Sequence, residues 1–243
     1  GWFWVNEKPV AWVDNYCGTY KYDITDLIQA GTQAVVVAAV NNAVPSRKGQ
    51  MAFTHQFGGL YRDVELEATP DTRIDDAWVR GDFDKREAEV HATVAYATEA
   101  GRLKKPVLRV KVQSAVIREA IVFGEGQKSA EVCCRVKLDP FTPWSPEHPD
   151  LYLAEITLCD GETPVYGWTE RFGVRKIEVR GERFFLNNTP FFVRGFGDDS
   201  VYPLTLVSPA SKTEHLKHLT FARAAGFNYV RLHTHCELPE YFE

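Results

Sequence analysis

The sequence contains no apolar run near the roughly 18 to 20 residues of a membrane span, so its 243 residues predict no membrane-crossing helix. Cysteines are few: five, an odd number, without the spacing of a disulfide framework or a metal motif. Buried, reduced thiols are expected. Cys133 and Cys134 are adjacent in a strand-like run and should face opposite ways. Basic residues are in deficit, with 28 Lys and Arg against 33 Asp and Glu, a net charge of −5. An acidic surface without a basic stripe disfavours a phosphate backbone, so nucleic acid is not an expected partner. Collagen-like and coiled-coil compositions are absent. The 13% aromatic content supplies ample apolar area for a core and excludes disorder as the main state. The chain opens at Gly1 on WFWVNEKPV, already strand-like, without the charged segment or apolar core of a signal peptide.

Up to about residue 180 the sequence offers short β-type runs. QAVVVAAV (33–40) is continuous and β-branched, which predicts a buried strand. LYRDVEL (60–66) alternates more loosely. Runs at 74–80, 88–97, 107–112, 116–123, 130–138 and 151–159 follow, mostly separated by glycine, proline or polar clusters. This spacing predicts antiparallel β-sandwiches. At most one helical turn is expected, at 24–28. Trp144, Pro146 and Pro149 read as a rigid, core-anchored entry to the strand at 151–159. From about 183 the pattern changes to strand, strand, long loop, helix, strand. FFL and FFV predict a hairpin turned at 187–190. Ser211 and Glu214 have capping-box spacing, and Gly226 marks the helix end. The fold class is therefore mainly β, with a strand–helix–strand unit at the end of the chain.

Five strings carry more information: FGGLYRDV (57–64), WSPEHPDLY (144–152), FGVRKIEV (172–179), FFLNNTPFFVRGFG (184–197) and GFNYVR (226–231). Together and in this order they resemble glycoside hydrolase family 2, the family of β-galactosidases and β-glucuronidases. The resemblance implies a partial jelly-roll sugar-binding sandwich at 1–69. It implies an immunoglobulin-like β-sandwich at 70–174 and the first strand–helix–strand of a (β/α)8 TIM barrel at 175–243. The chain is then expected to be incomplete at both ends. The implied activity is a retaining, exo-acting hydrolase that cleaves a terminal sugar from oligo- or polysaccharide glycans. Carbohydrate is the expected partner, and no cofactor is expected.

Barrel active sites lie at the C-terminal ends of strands. The candidate substrate-binding or orienting residues are Arg194, Asp198, Asp199, Arg231, His233 and His235. In the family, the arginine matching Arg231 orients the nucleophile carboxylate, a task suited to a planar guanidinium. The sequence departs from the family at two places. LHTHC (232–236) stands where small residues and His-Tyr-Pro are usual, and Gly197, Asp198 and Asp199 stand where Asn, a basic residue and His are usual. Acids accept hydrogen bonds from sugar hydroxyls, so a neutral pentose or hexose fits more simply than a uronate. His233 and His235 are spaced to share one side of a strand end. The sequence offers them no third ligand, so no metal is expected. By the resemblance, the loop of His55 and Gln56 approaches the active-site mouth.

Retaining glycosidases need two carboxyl groups about 5 to 5.5 Å apart. In the family both are glutamates on later barrel strands, the acid/base preceded by asparagine. The only Asn-Glu pair is Asn6-Glu7, in a β-rich context, and Glu237, Glu240 and Glu243 follow a strand end outside that pattern. No catalytic residue is therefore expected in this chain, which alone should be inactive. The alternative is a non-catalytic carbohydrate-binding β-sandwich module, and a cell-adhesion sandwich is a third reading. The strand–helix–strand end favours the hydrolase. A truncated barrel would expose Phe191, Phe192, Val193, Val230 and Leu232, which predicts association through that segment, as a homo-oligomer or with the rest of an enzyme.

Overall fold

The computed structural model describes residues 1–13, 18–41, 59–60, 62–199, 202, 209, 211–233, 235 and 237–242. Of the residues singled out above, His55, Gln56, Gly58, Tyr61, Thr234, Cys236 and Glu243 lie outside the described ones. The chain divides into two compact units, Gly1–Val64 with Val193–Glu243, and Glu65–Phe192.

In the first unit, β1 (Trp2–Val5) and β2 (Lys8–Trp12) form an antiparallel hairpin. Its turn residues Asn6 and Glu7 both sit at positive φ, 48° and 66°. The Asn6 amide donates to the Leu27 carbonyl at 2.7 Å, and its oxygen accepts from the Val35 N–H at 3.0 Å. β3 (Val36–Ala39) adds to the other side of β1, giving the order β2-β1-β3. The expected single turn is a short 3-10 helix at Thr25–Leu27. The buried strand expected at 33–40 is a correction: among the described residues β3 lies at the sheet edge, and Val36 is 59% exposed. A continuous apolar run is buried only where layers cover both faces, and the described residues do not meet that condition. The strand expected at 60–66 is also absent from the described residues, and Leu60, Val64 and Leu66 are exposed. Four charged residues interrupt 62–67, leaving little apolar periodicity to bury.

The second unit begins with β4 (Thr72–Asp82), β5 (Glu87–Tyr96), β6 (Pro106–Val112), β7 (Ala115–Ala120), β8 (Ser129–Lys137), β9 (Tyr152–Asp160) and β10 (Thr163–Phe172). They form a three-stranded sheet, β4-β5-β8, and a four-stranded sheet, β10-β9-β6-β7. All pairings are antiparallel. Alternation sends Val90, Val94, Val132 and Val136 inward from one sheet and Leu108, Val110, Ile156 and Leu158 inward from the other. These residues share one core, so the sheets pack as a sandwich. The same period buries Cys134 and exposes Cys133. Trp144 donates its N–H to the Val174 carbonyl at 2.9 Å and carries the Arg175 guanidinium 4.7 Å above its ring.

A meander of β11 (Ile177–Arg180), β12 (Arg183–Leu186) and β13 (Thr189–Phe191) completes this unit. The expected hairpin turns at Asn187 and Asn188, with φ of 51° and 65°. Asn187 also ties the turn to the sandwich. Its oxygen accepts from the Lys176 N–H at 3.0 Å, and its amide donates to the Trp144 carbonyl at 2.9 Å.

The first unit resumes with β14 (Gly195–Asp198), α1 (Lys212–Ala224), β15 (Tyr229–Leu232) and α2 (Pro239–Phe242). Ser211 is the N-cap of α1, but its side chain makes no capping bond, so the expected capping box does not close. Gly226 lies just past the helix at φ 86°, as its sequence position predicts. Phe192 is exposed as expected, whereas Phe191, Val193, Val230 and Leu232 are half-buried. Among the described residues no helix is long and apolar enough to cross a membrane.

Candidate functional site

Parallel strands cannot be joined by a tight hairpin and need a crossover. Here α1 lies between β14 and β15, which pair in parallel with Gly197 opposite Arg231 and Asp198 opposite Leu232. Aligned residues share a face, so Asp198 and Arg231 belong to opposite faces. Gly195 is required by close approach, since a Cβ there would stand 2.8 Å from the Tyr229 ring. At the N-terminal edge, the Arg194 N–H donates to Asn228 Oδ1 at 2.8 Å and Arg194 Nε donates to the Gly226 carbonyl at 2.6 Å. At the C-terminal edge, the His233 N–H donates to the Asp198 carbonyl at 2.8 Å.

Past that C-terminal edge lies a buried polar cluster. Glu237 is its centre, with a side chain only 1% exposed. The Tyr202 hydroxyl lies 3.1 Å from Glu237 Oε1 and 3.3 Å from Asp198 Oδ2. His235 Nε2 is 3.1 Å from Glu237 Oε1, and its Nδ1 is 2.9 Å from the His233 carbonyl oxygen. From α1, His215 Nε2 stands 3.9 Å from Glu237 Oε2. The His215 ring is edge-on to both Tyr202 and Tyr241, while His218 stacks on Tyr202. Burial first, then the charges of Glu237 and Asp198, push the Tyr202 phenol far up. Burial and the same two carboxylates push Tyr241 up to about 12. Both phenols therefore stay protonated at neutral pH; Tyr202 is the donor to the carboxylates, while the buried Tyr241 hydroxyl has no partner among the described residues. Donor atoms of Asp198, His235 and Glu237 all lie within 4.8 Å of one another, the spacing of a cation site.

Of the sequence candidates, Asp198 and His235 meet in this cluster, and His233 borders it through its backbone. Asp199 and Arg231 are exposed, and Arg231 makes no ion pair among the described residues. Arg194 sits at the other end of β14, tied to the turn after α1. Glu240 is gripped by Arg62 through two bonds of 2.6 Å, and that guanidinium holds its carboxyl below the usual range. Sequence reasoning missed Tyr202, His215 and the central place of Glu237. The one local signal was the i, i+3 spacing of His215 and His218 on an otherwise solvent-type helix.

Residues 72–175, which span the sandwich strands, match the family model for Glycosyl hydrolases family 2. A β-galactosidase of Thermoanaerobacter pseudethanolicus is 25% identical over 221 residues, covering 87% of this chain and 29% of its own length. The chain is related to the family 2 glycosyl hydrolases. It spans under a third of that relative's length. Family 2 architecture also appears among solved structures. A Bacteroides uniformis β-glucuronidase superposes with a TM-score of 0.76 at 20% identity, over 99% of this chain and 30% of that one. A family 2 member from Bacteroides cellulosilyticus gives 0.77 at 21% identity, over 99% and 34%. These likenesses extend the shared fold beyond the sandwich to nearly the whole chain.

Proposed function

We propose that this chain is part of a retaining, exo-acting glycoside hydrolase that removes a terminal sugar from glycans. One observation carries the reading: Asp198, His233 and His235 collect past the C-terminal edge of a parallel strand pair, where α/β enzymes bind ligands. The reading takes 1–69 as jelly-roll material, 70–174 as an immunoglobulin-like sandwich and 175–243 as the opening of a (β/α)8 barrel. It is supported by the β2-β1-β3 sheet, the two-sheet sandwich and the β14-α1-β15 crossover. A carbohydrate-binding sandwich module has no need of that parallel crossover.

In this reading the exposed Arg231 and Asp199 face the glycone side, and Asp198 and His235 brace the wall behind them. Asp199 accepts hydrogen bonds from hydroxyls of a neutral pentose or hexose. Arg231 orients the nucleophile carboxylate. In this reading the catalytic pair comes from later barrel strands outside residues 1–243, which is supported by the burial of Glu237 and by the Arg62 grip on Glu240. Without a proton donor and a nucleophile on opposite sides of the anomeric carbon, binding leaves most of the barrier in place.

The test uses aryl β-galactosides, β-glucuronides, β-mannosides and arabinosides. The 243-residue chain should turn over none of them, and the full-length polypeptide that carries it should hydrolyse at least one. In that polypeptide Arg231→Ala should cut kcat with little change in folding. Losing a charge-assisted contact of about 1.5 to 3 kcal/mol corresponds to roughly ten- to a hundredfold in rate. An Arg231→Ala enzyme working at the parent rate would reduce Arg231 to a surface charge.

A further inference from the structure

We propose that His215, His235, Asp198 and Glu237 form a binding site for a zinc-type divalent cation, which fastens the end of β14 and the segment after β15 to helix α1. The proposal does not rest on the glycosidase reading.

The donor set comes from three places in the fold: Asp198 from the end of β14, His215 from the first turn of α1, and His235 with Glu237 from the chain after β15. Donor atoms of Asp198, His235 and Glu237 lie within 4.8 Å of one another. Tetrahedral zinc with ligands about 2.0 to 2.1 Å away places its donors roughly 3.3 Å apart. The His235 to Glu237 separation is 3.1 Å and the His215 to Glu237 separation is 3.9 Å; His215 stands outside the group of three, and its ring must turn toward Asp198 and His235 to complete the shell.

A further observation points to a ligand. His215 is 97% buried by its 3% exposure, yet neither ring nitrogen has a hydrogen-bond partner among the described residues. A buried imidazole with both nitrogens unsatisfied carries a desolvation penalty that a coordinate bond would offset. On the other side of the cluster, His235 Nε2 lies 3.1 Å from Glu237 Oε1, and its Nδ1 lies 2.9 Å from the His233 carbonyl oxygen, which can only accept. A backbone carbonyl on the far nitrogen is also the usual outer support of a metal-bound histidine.

Two imidazoles and two carboxylates suit zinc or another borderline first-row ion, not magnesium or calcium, which prefer all-oxygen shells. Two carboxylates neutralise a divalent charge in a place with little water. Four protein ligands close the coordination shell, so the role is structural rather than catalytic. The Tyr202 hydroxyl, touching both carboxylates, is the outer-shell donor that orients them.

The test loads the 243-residue chain with Zn²⁺, removes excess by gel filtration and measures bound metal and thermal stability. One equivalent should remain and the melting temperature should rise. Zinc-edge X-ray absorption on the unmutated chain should give nitrogen and oxygen neighbours near about 2.0 Å, with imidazole scattering and no sulfur at about 2.3 Å. Glu237→Gln and His215→Ala should abolish retention, and Tyr202→Phe should weaken affinity about ten- to a hundredfold. Cys133→Ser should change nothing, although Cys133 and His91 approach to 3.7 Å on the sandwich surface. A sulfur shell, loss of metal in Cys133→Ser, or failure of the unmutated chain to retain zinc would each overturn the proposal. If the variants fail to fold, the absorption spectrum of the unmutated chain alone decides it.

Discussion

Glu89 is a buried carboxylate on β5, and its neighbours across the sheet explain why it is tolerated there. Arg135 of β8 donates Nε to Glu89 Oε1 at 2.9 Å, and Arg80 of β4 grips the other oxygen. Arg135 first and Arg80 second hold its carboxyl below the ordinary carboxylate range. The sign of the linkage follows. An unfolded glutamate titrates near about 4.3. Because the folded value is lower, the stabilisation is complete above that unfolded value and is lost as pH falls through the folded one. The melting temperature should therefore decline steeply below about pH 4. Glu89→Gln should lower stability at pH 7 and flatten that acid limb. Parallel acid limbs for the two proteins would mean that other carboxylates govern acid unfolding. The buried cluster around Glu237 follows a different rule: its carboxylate meets a phenol and an imidazole rather than arginines on adjacent strands, and it is assembled from distant segments.

At the scale of elements, turn chemistry sets the register. Asn187 and Asn188 both adopt the left-handed conformation that a two-residue hairpin between right-twisted strands requires. Asn188→Gly should be nearly neutral, losing only an exposed bond from Arg180. Asn188→Val should cost about 1 to 2 kcal/mol, since a β-branched residue strains at that φ. Equal stability of the two variants, measured by urea unfolding, would show that the turn is not a constraint. Such local signals were legible in the sequence. Period-two burial in YLAEITLCD and SAEVCCRVK named β9 and β8, and Gly226 named the end of α1. The misread elements lacked a local cause. Whether VVAA is buried depends on a second layer that its own residues do not encode, and Ser211 has the right spacing but the wrong side-chain geometry to cap. The candidate site was half legible. Asp198 and His235 were visible as polar residues at strand ends. Tyr202 and Glu237 are 35 residues apart and meet only through the β14-α1-β15 crossover.

At the scale of the whole molecule, the distribution of the core decides which part stands by itself. The large hydrophobic cluster runs from Ile74 to Val174 and lies entirely within the Glu65–Phe192 unit. Antiparallel sheets need only one face covered, and the two sheets of the sandwich cover each other. Among the described residues the β14-β15 pair is a two-stranded parallel sheet, a type that is stable when both faces are covered, yet Phe221 of α1 and Tyr229 of β15 are exposed. Residues 65–192 expressed alone should therefore fold and unfold cooperatively, with Ile156→Ala costing about 2 to 5 kcal/mol through the cavity it leaves. In the full chain, amide hydrogen exchange should be slowest in β5, β6, β8 and β9 and faster throughout β14, α1 and β15. The contrast should hold in a sample shown to be monomeric, because self-association would cover the exposed apolar side chains and slow their exchange. A 65–192 segment that stays unfolded in buffer, or equal protection in the sandwich and in the β14-α1-β15 unit of a monomer, would mean that the sandwich core does not carry the stability of this chain.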